Sequence, residues 1–90
     1  MNPLIQPIYD LIKDPDHWTQ GVLGRDQDDN PIDVEKACKF CLVGAVYKAY
    51  PLMGDSIQDV YDLMNEHGVS ASVFNDSHTH AEVLTLLESL

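Results

Sequence analysis

A chain of 90 residues with 44% apolar and 22% charged content fits one globular domain; it is too short for a second core and too apolar for disorder. Fifteen acidic residues against five basic ones give a formal net charge of −10; all five cations (Lys13, Arg25, Lys36, Lys39, Lys48) precede residue 49, and seven acids follow with no Lys or Arg. This balance excludes nucleic acid and anionic membranes, which are bound through Lys and Arg, and leaves a protein with a basic surface as the expected partner, or plain solubility as the reason for the charge.

In chain order, residues 3–13 predict a first helix. Leu4, Ile5, Ile8, Leu11 and Ile12 recur at helical spacing, and Pro3 and Pro7 confine its start to the first turn or so. Asp14-Pro15-Asp16 ends it, with Asp16 placed to cap a short turn carrying His17 and Trp18. Residues 21–33 have no helical period. The polar stretch Asp26 to Asp29 and the following Asn30-Pro31 read as a mobile loop or loose hairpin between Val22-Leu23 and Ile32.

Asp33 is a good N-cap residue, and a helix is expected from Val34 to about Tyr50, ended by Pro51. Its apolar face is made of small residues: Ala37, Cys38, Cys41, Ala45 and Ala49 beside Val34, Leu42 and Val46. Gly44 in its interior costs about 1 kcal/mol relative to Ala, which points to close approach by another element. Ser56 with Asp59 resembles a capping box opening a third helix, whose stripe is Ile57, Val60, Tyr61 and Met64 and whose C-cap glycine is Gly68. Val69 to Phe74 reads as extended and Asn75-Asp76 as a turn. Thr79 and Glu82 form a capping box for a last helix with Val83, Leu84, Leu87 and Leu90 inward. The expected fold is mainly α, a compact bundle of four helices near 3–13, 34–50, 56–67 and 79–89, with a minor hairpin near 21–33.

Trp18 with Gly21, Cys41-Leu42 with Gly44-Ala45, and Phe74-Asn75-Asp76 with Thr79 and Glu82-Val83-Leu84 occur in one order across residues 15–88. This combination resembles a family of small bacterial and phage proteins known as a domain of unknown function. The resemblance implies a bacterial-type cytoplasmic protein with a compact helical fold, and no activity. The pair Cys38 and Cys41 departs from the single cysteine of that pattern.

Four constellations have chemical content. Cys41 with His78 or His80 as base, oriented by Asp76 or Asn75, has the chain order of a cysteine hydrolase or acyl transferase. A position two turns inside a helix instead favours Cys41 as a small packing residue, because the helix dipole fades within the first turn. Cys38, Cys41, His78 and His80 are the candidates for structural zinc, a site not favoured because CxxC usually sits on a turn there and His-x-His is short. Asp26, Asp28 and Asn30 begin like a calcium loop, but Pro31 and Ala37 stand where Gly and Glu are needed. Trp18 and His17, after the first helix, are candidate interface anchors; Tyr9, Tyr47, Tyr50 and Tyr61 are spread over the first three helices. No cofactor is expected. No apolar run nears the ~18 residues of a membrane span, no basic segment precedes a hydrophobic stretch at the N-terminus, and two cysteines read as free thiols, so the expected compartment is the cytoplasm. The leading expectation is a non-enzymatic interaction or accessory domain.

Overall fold

The computed structural model describes residues 1–51 and 54–90. The fold is mainly α with a minor two-stranded antiparallel sheet. Five α-helices lie among the described residues: α1 (Gln6–Ile12), α2 (Leu42–Ala49), α3 (Asp55–Glu66), α4 (Ala71–Ser77) and α5 (His80–Ser89). The strands are β1 (Gly24–Arg25) and β2 (Lys39–Phe40), and single 3₁₀ turns occupy Pro15–His17 and Val34–Lys36. No helix among the described residues is long and apolar enough to cross a membrane.

The core follows the helical periodicities. Ile5, Ile8 and Ile12 turn one face of the first segment inward, Ile57, Val60 and Met64 do so on α3, and Val83 and Leu87 on α5. Leu42, Ala45 and Val46 place α2 among them, packed chiefly against α1. A fully buried Leu, Ile or Val contributes about 1.5–3 kcal/mol, so these stripes decide how the helices assemble. The last helix starts as its residues dictate: Thr79 accepts from the Glu82 amide at 3.2 Å, and the Glu82 carboxylate accepts from the Thr79 amide at 2.9 Å. At the end of α3, Gly68 adopts φ 71°, and the amides of Gly68 and Val69 close onto the carbonyls of Asn65 and Met64.

Local expectation fails at several boundaries. The helix expected over 34–50 is not continuous. After one 3₁₀ turn the chain is extended from Ala37, pairs as β2 with β1 (Gly24 opposite Phe40, Arg25 opposite Lys39), and turns helical only at Leu42. Remote partners capture its backbone: Cys38 N–H donates to the Arg25 carbonyl at 3.0 Å, Cys41 N–H to the Leu23 carbonyl at 3.3 Å, and the Phe40 carbonyl accepts from Thr19 N–H at 3.0 Å. The extended segment expected at 69–74 and the turn at 75–76 are replaced from Ala71 onward by α4, with Ala71 and Asn75 inward at one-turn spacing. The third helix begins at Asp55 after Gly54, with no side-chain cap from Ser56. Asp14, not Asp16, caps the turn before Trp18, accepting from the Asp16 amide at 2.9 Å.

The 21–33 hairpin is present, with a different partner strand. Arg25 bridges Pro31, and Ile32 N–H reaches the Gly24 carbonyl, but the ladder itself runs to β2. The acidic turn is held by its own groups. One Asp26 oxygen accepts from the Asp28 and Asn30 amides, Arg25 Nη1 donates to the Asp29 carbonyl, and Lys39 pairs with the Asp29 carboxylate.

Candidate functional site

The start of α2 is assembled by three distant segments. Cys41 is its N-cap, with extended backbone and its Sγ accepting from the Gly44 amide at 3.3 Å. Sulfur is a weak acceptor, so this cap is poor by itself. Asn75 completes it from α4: its Oδ1 accepts the Leu42 amide at 3.0 Å and the Trp18 indole N–H at 2.7 Å. Its Nδ2 donates to the Thr19 carbonyl at 3.1 Å and to Asp76 Oδ1 at 3.3 Å. Asn75 is 0% exposed, and its amide is fully bonded as a buried polar group must be. Gln20 adds a bond from its side chain to the Asn75 carbonyl, and Gly21 N–H donates to Asp76 Oδ1.

Gly44 is the third tie. A Cβ there would stand 1.9 Å from the Leu23 carbonyl oxygen, so the close approach expected at this glycine is made by the 21–24 segment. That segment lies over the first turn of α2.

Cys41 and Asp76 line the same open hollow of about 220 Å³, together with Gly21, Val22, Leu23, Val43 and Ser72. A separate hollow of about 370 Å³ is also lined by Val43 and Ser72, with Tyr61, Asn65 and Val69. Cys41 is 6% exposed. Burial pushes its thiol above the ordinary range and the Asp76 charge adds to that, against the lowering effect of the amides at the α2 N-terminus. Burial also pushes the Tyr61 phenol up to about 12, with Tyr47 beside it contributing.

The earlier candidates are therefore distributed as follows. Cys41 caps a helix rather than lying two turns inside one, and Asp76 shares its hollow. Cys38 is in the extended stretch, with Sγ 3.7 Å from the Arg25 carbonyl, so the two cysteines do not share a helical face. His78 belongs to another hollow with Phe74 and Glu82; its ring stacks on Phe74 at 3.7 Å and its Nδ1 lies 2.9 Å from the Phe74 carbonyl oxygen. His80 Nε2–H donates to the Ile12 carbonyl at 2.6 Å, and its ring lies 5.4 Å from that of Trp18. These contacts, with Ser77 Oγ also 2.9 Å from His78 Nδ1, hold both rings against local backbone and away from Cys41's hollow. Trp18 is partly buried against the core and tied to Asn75, whereas His17 is exposed at the end of its turn. Among the described residues, no three His, Cys, Asp or Glu side chains are grouped to hold a metal ion.

The sequence pattern marks Tyr61 as a stripe aromatic, but gives Val43, Ser72 and Val69, which also shape the hollows, no functional signal. Val43 lies off the apolar face expected for its helix, and Val69 and Ser72 lie in a segment that reads as extended.

A family model described as a family of unknown function (DUF6197) matches residues 4–90. The chain belongs to this family. The match spans all five helices and both strands, so the site at the α2 N-terminus lies wholly within the DUF6197 region. No curated protein and no solved structure matches the chain.

Proposed function

We propose that this DUF6197 protein is a non-enzymatic interaction domain of the bacterial cytoplasm that binds a protein with a basic surface. One observation carries the proposal: the acidic surface is largely without cations. Among the described residues, the ion pairs are Lys13 with Asp10 and Lys39 with Asp29. Asp55, Asp59, Asp62 and Glu66 on α3, and Glu82 and Glu88 on α5, lie exposed in a half of the chain that has no Lys or Arg. Such a field raises the encounter rate with cationic surfaces and repels anionic ones. The two free thiols fit a reducing compartment.

The test is retention of the folded chain on immobilised Lys/Arg-rich peptides and on acidic peptides of equal length, at low and high salt. Selective retention on the basic set, lost at high salt, is the expected result. Equal retention on both sets, or none on either, overturns the proposal.

One observation favours a second reading, a cysteine-dependent hydrolase or acyl transferase. Cys41 stands at a helix N-terminus and shares its hollow with Asp76, and such a position activates thiols elsewhere. That reading requires Cys41 to be alkylated rapidly at neutral pH in the folded chain. A thiol that reacts only on unfolding disposes of it.

A further inference from the structure

We infer that Cys38 and Cys41 form a redox latch on the start of α2. A disulfide between them and the native pairing of β2 exclude each other, so a small-molecule disulfide that oxidises the pair opens this part of the fold, and thiols close it again. The inference stands independently of the proposed basic partner.

Lys39 and Phe40 separate the two cysteines, and both belong to β2. At about 3.3 Å per extended residue, the α-carbons of Cys38 and Cys41 are about 10 Å apart, and side chains three positions apart leave a strand on opposite faces. A disulfide needs α-carbons roughly 4.4–6.8 Å apart, so this one closes only if the strand bends at Lys39 and Phe40. The surroundings of the two thiols agree. Cys41 lines the hollow that Asp76 lines, whereas the Cys38 Sγ lies 3.7 Å from the Arg25 carbonyl.

Bending that strand undoes the contacts that organise the α2 N-terminus. Phe40 is 4% exposed in the core, and its carbonyl accepts from Thr19 N–H at 3.0 Å. The Cys38 and Cys41 amides donate to the Arg25 and Leu23 carbonyls, and the Cys41 sulfur caps Gly44. In the unfolded chain nothing holds Lys39 and Phe40 extended, and Cys-x-x-Cys is a spacing that closes in disulfide oxidoreductases. A bond that forms in the open state and not in the native one must shift the balance toward opening.

The chemistry is thiol–disulfide exchange with a small-molecule disulfide. The half-buried Cys38 reacts first, because access limits the rate and Cys41 is covered. Its thiolate attacks one sulfur of the disulfide, forming a mixed disulfide and releasing the other half as a thiol. After the strand opens, the Cys41 thiolate attacks the Cys38 sulfur, forming the ring and releasing the second half. Two thiols of the chain are oxidised and one external disulfide is reduced to two thiols.

The test equilibrates the full-length chain, folded and in urea, with mixtures of reduced and oxidised glutathione, followed by acid quench and mass spectrometry of the digest. The equilibrium constant for ring closure is expected to be about tenfold or more smaller in the folded chain. In ¹⁵N spectra the oxidised chain, returned to buffer, lacks the native positions of the Arg25, Leu42 and Gly44 amides and of the Trp18 indole, and regains them in excess reduced glutathione. Cys41→Ser keeps an N-cap acceptor for Gly44 and cannot close the ring; with glutathione on Cys38 it retains those native positions. Closure as favourable in the folded chain as in the unfolded one, or an oxidised chain with native amide positions, overturns the inference. So does a Cys41→Ser chain that opens when Cys38 takes up glutathione, because ring closure is then not the cause.

Discussion

Replacing Asn75 by Ala tests whether one buried amide holds the α2 N-terminus to the rest of the fold. The substitution removes the acceptor of the Leu42 amide and the Trp18 indole, and the donor to the Thr19 carbonyl. A buried donor without a partner costs about 1–3 kcal/mol, more for the Leu42 amide in the interior and less for the half-buried indole, where water can enter. With the space left by the lost side chain, a total of about 3–4 kcal/mol is expected. For a domain of this size that lowers Tm by roughly 12–30 °C. Urea and thermal melts followed by circular dichroism measure the loss. Trp18, the single tryptophan, gives an independent signal through an emission shift to the red. Asn75→Asp adds a sign. It keeps the acceptor but sets a buried carboxylate oxygen against the Thr19 carbonyl and Asp76, so the folded pKa of the new acid rises above the unfolded value of about 3.9. A raised acid is tolerated below that value and destabilises as pH climbs through the folded pKa, so the variant is closest to the parent near pH 4 and falls behind by pH 7. A loss under about 1 kcal/mol for Asn75→Ala, with unchanged tryptophan emission, refutes the reasoning.

Gly44→Ala gains helix propensity of about 1 kcal/mol but drives a methyl into the Leu23 carbonyl, so the urea midpoint should fall by the equivalent of about 1–3 kcal/mol net. In the folded chain at pH 7, iodoacetamide should label Cys41 about tenfold or more slowly than Cys38, with the gap closing in urea; mass spectrometry of the digest reads both rates. Thr79→Ala removes one half of the α5 capping box and should cost about 1 kcal/mol by thermal melt. The Thr79 backbone amide holds Glu82 below its ordinary range, so its contribution is present above the unfolded carboxylate pKa and is lost as pH falls through the folded one. Glu82→Gln should flatten that acid limb of the stability profile, and an unchanged limb counts against the box.

What the chain spells locally was legible. Five isoleucines and leucines at helical spacing placed α1, and Thr79 with Glu82 placed the start of α5, because periodicity and a capping box involve residues within one or two turns. The break between Lys36 and Leu42 was not legible. Its residues carry an acceptable helical pattern, and the competing bonds come from Thr19, Leu23, Arg25 and Asn75, up to 33 positions away. Segment 69–76 failed for the complementary reason. Asn75 and Asp76 are turn formers by local preference, and burial of the Asn75 amide against three partners overrides it.

The same override changes what Cys41 is. Within a helix that began at Val34, its thiol would have been one more small group on a packing face. With the helix starting at Leu42, the thiol faces the amides of a first turn, in a hollow that residues 21–23 also line. Helix termini elsewhere turn such geometry into reactivity by favouring the thiolate. Here the 21–23 segment that lines the hollow helps to bury the sulfur, and burial outweighs the amides. Docking of that segment depends on Gly44 having no side chain, on the Leu23 carbonyl receiving the Cys41 amide, and on Asp76 receiving Gly21. The contacts that shape the hollow are thus the ones that bury its cysteine, so the packing that forms this site works against a nucleophilic role for Cys41.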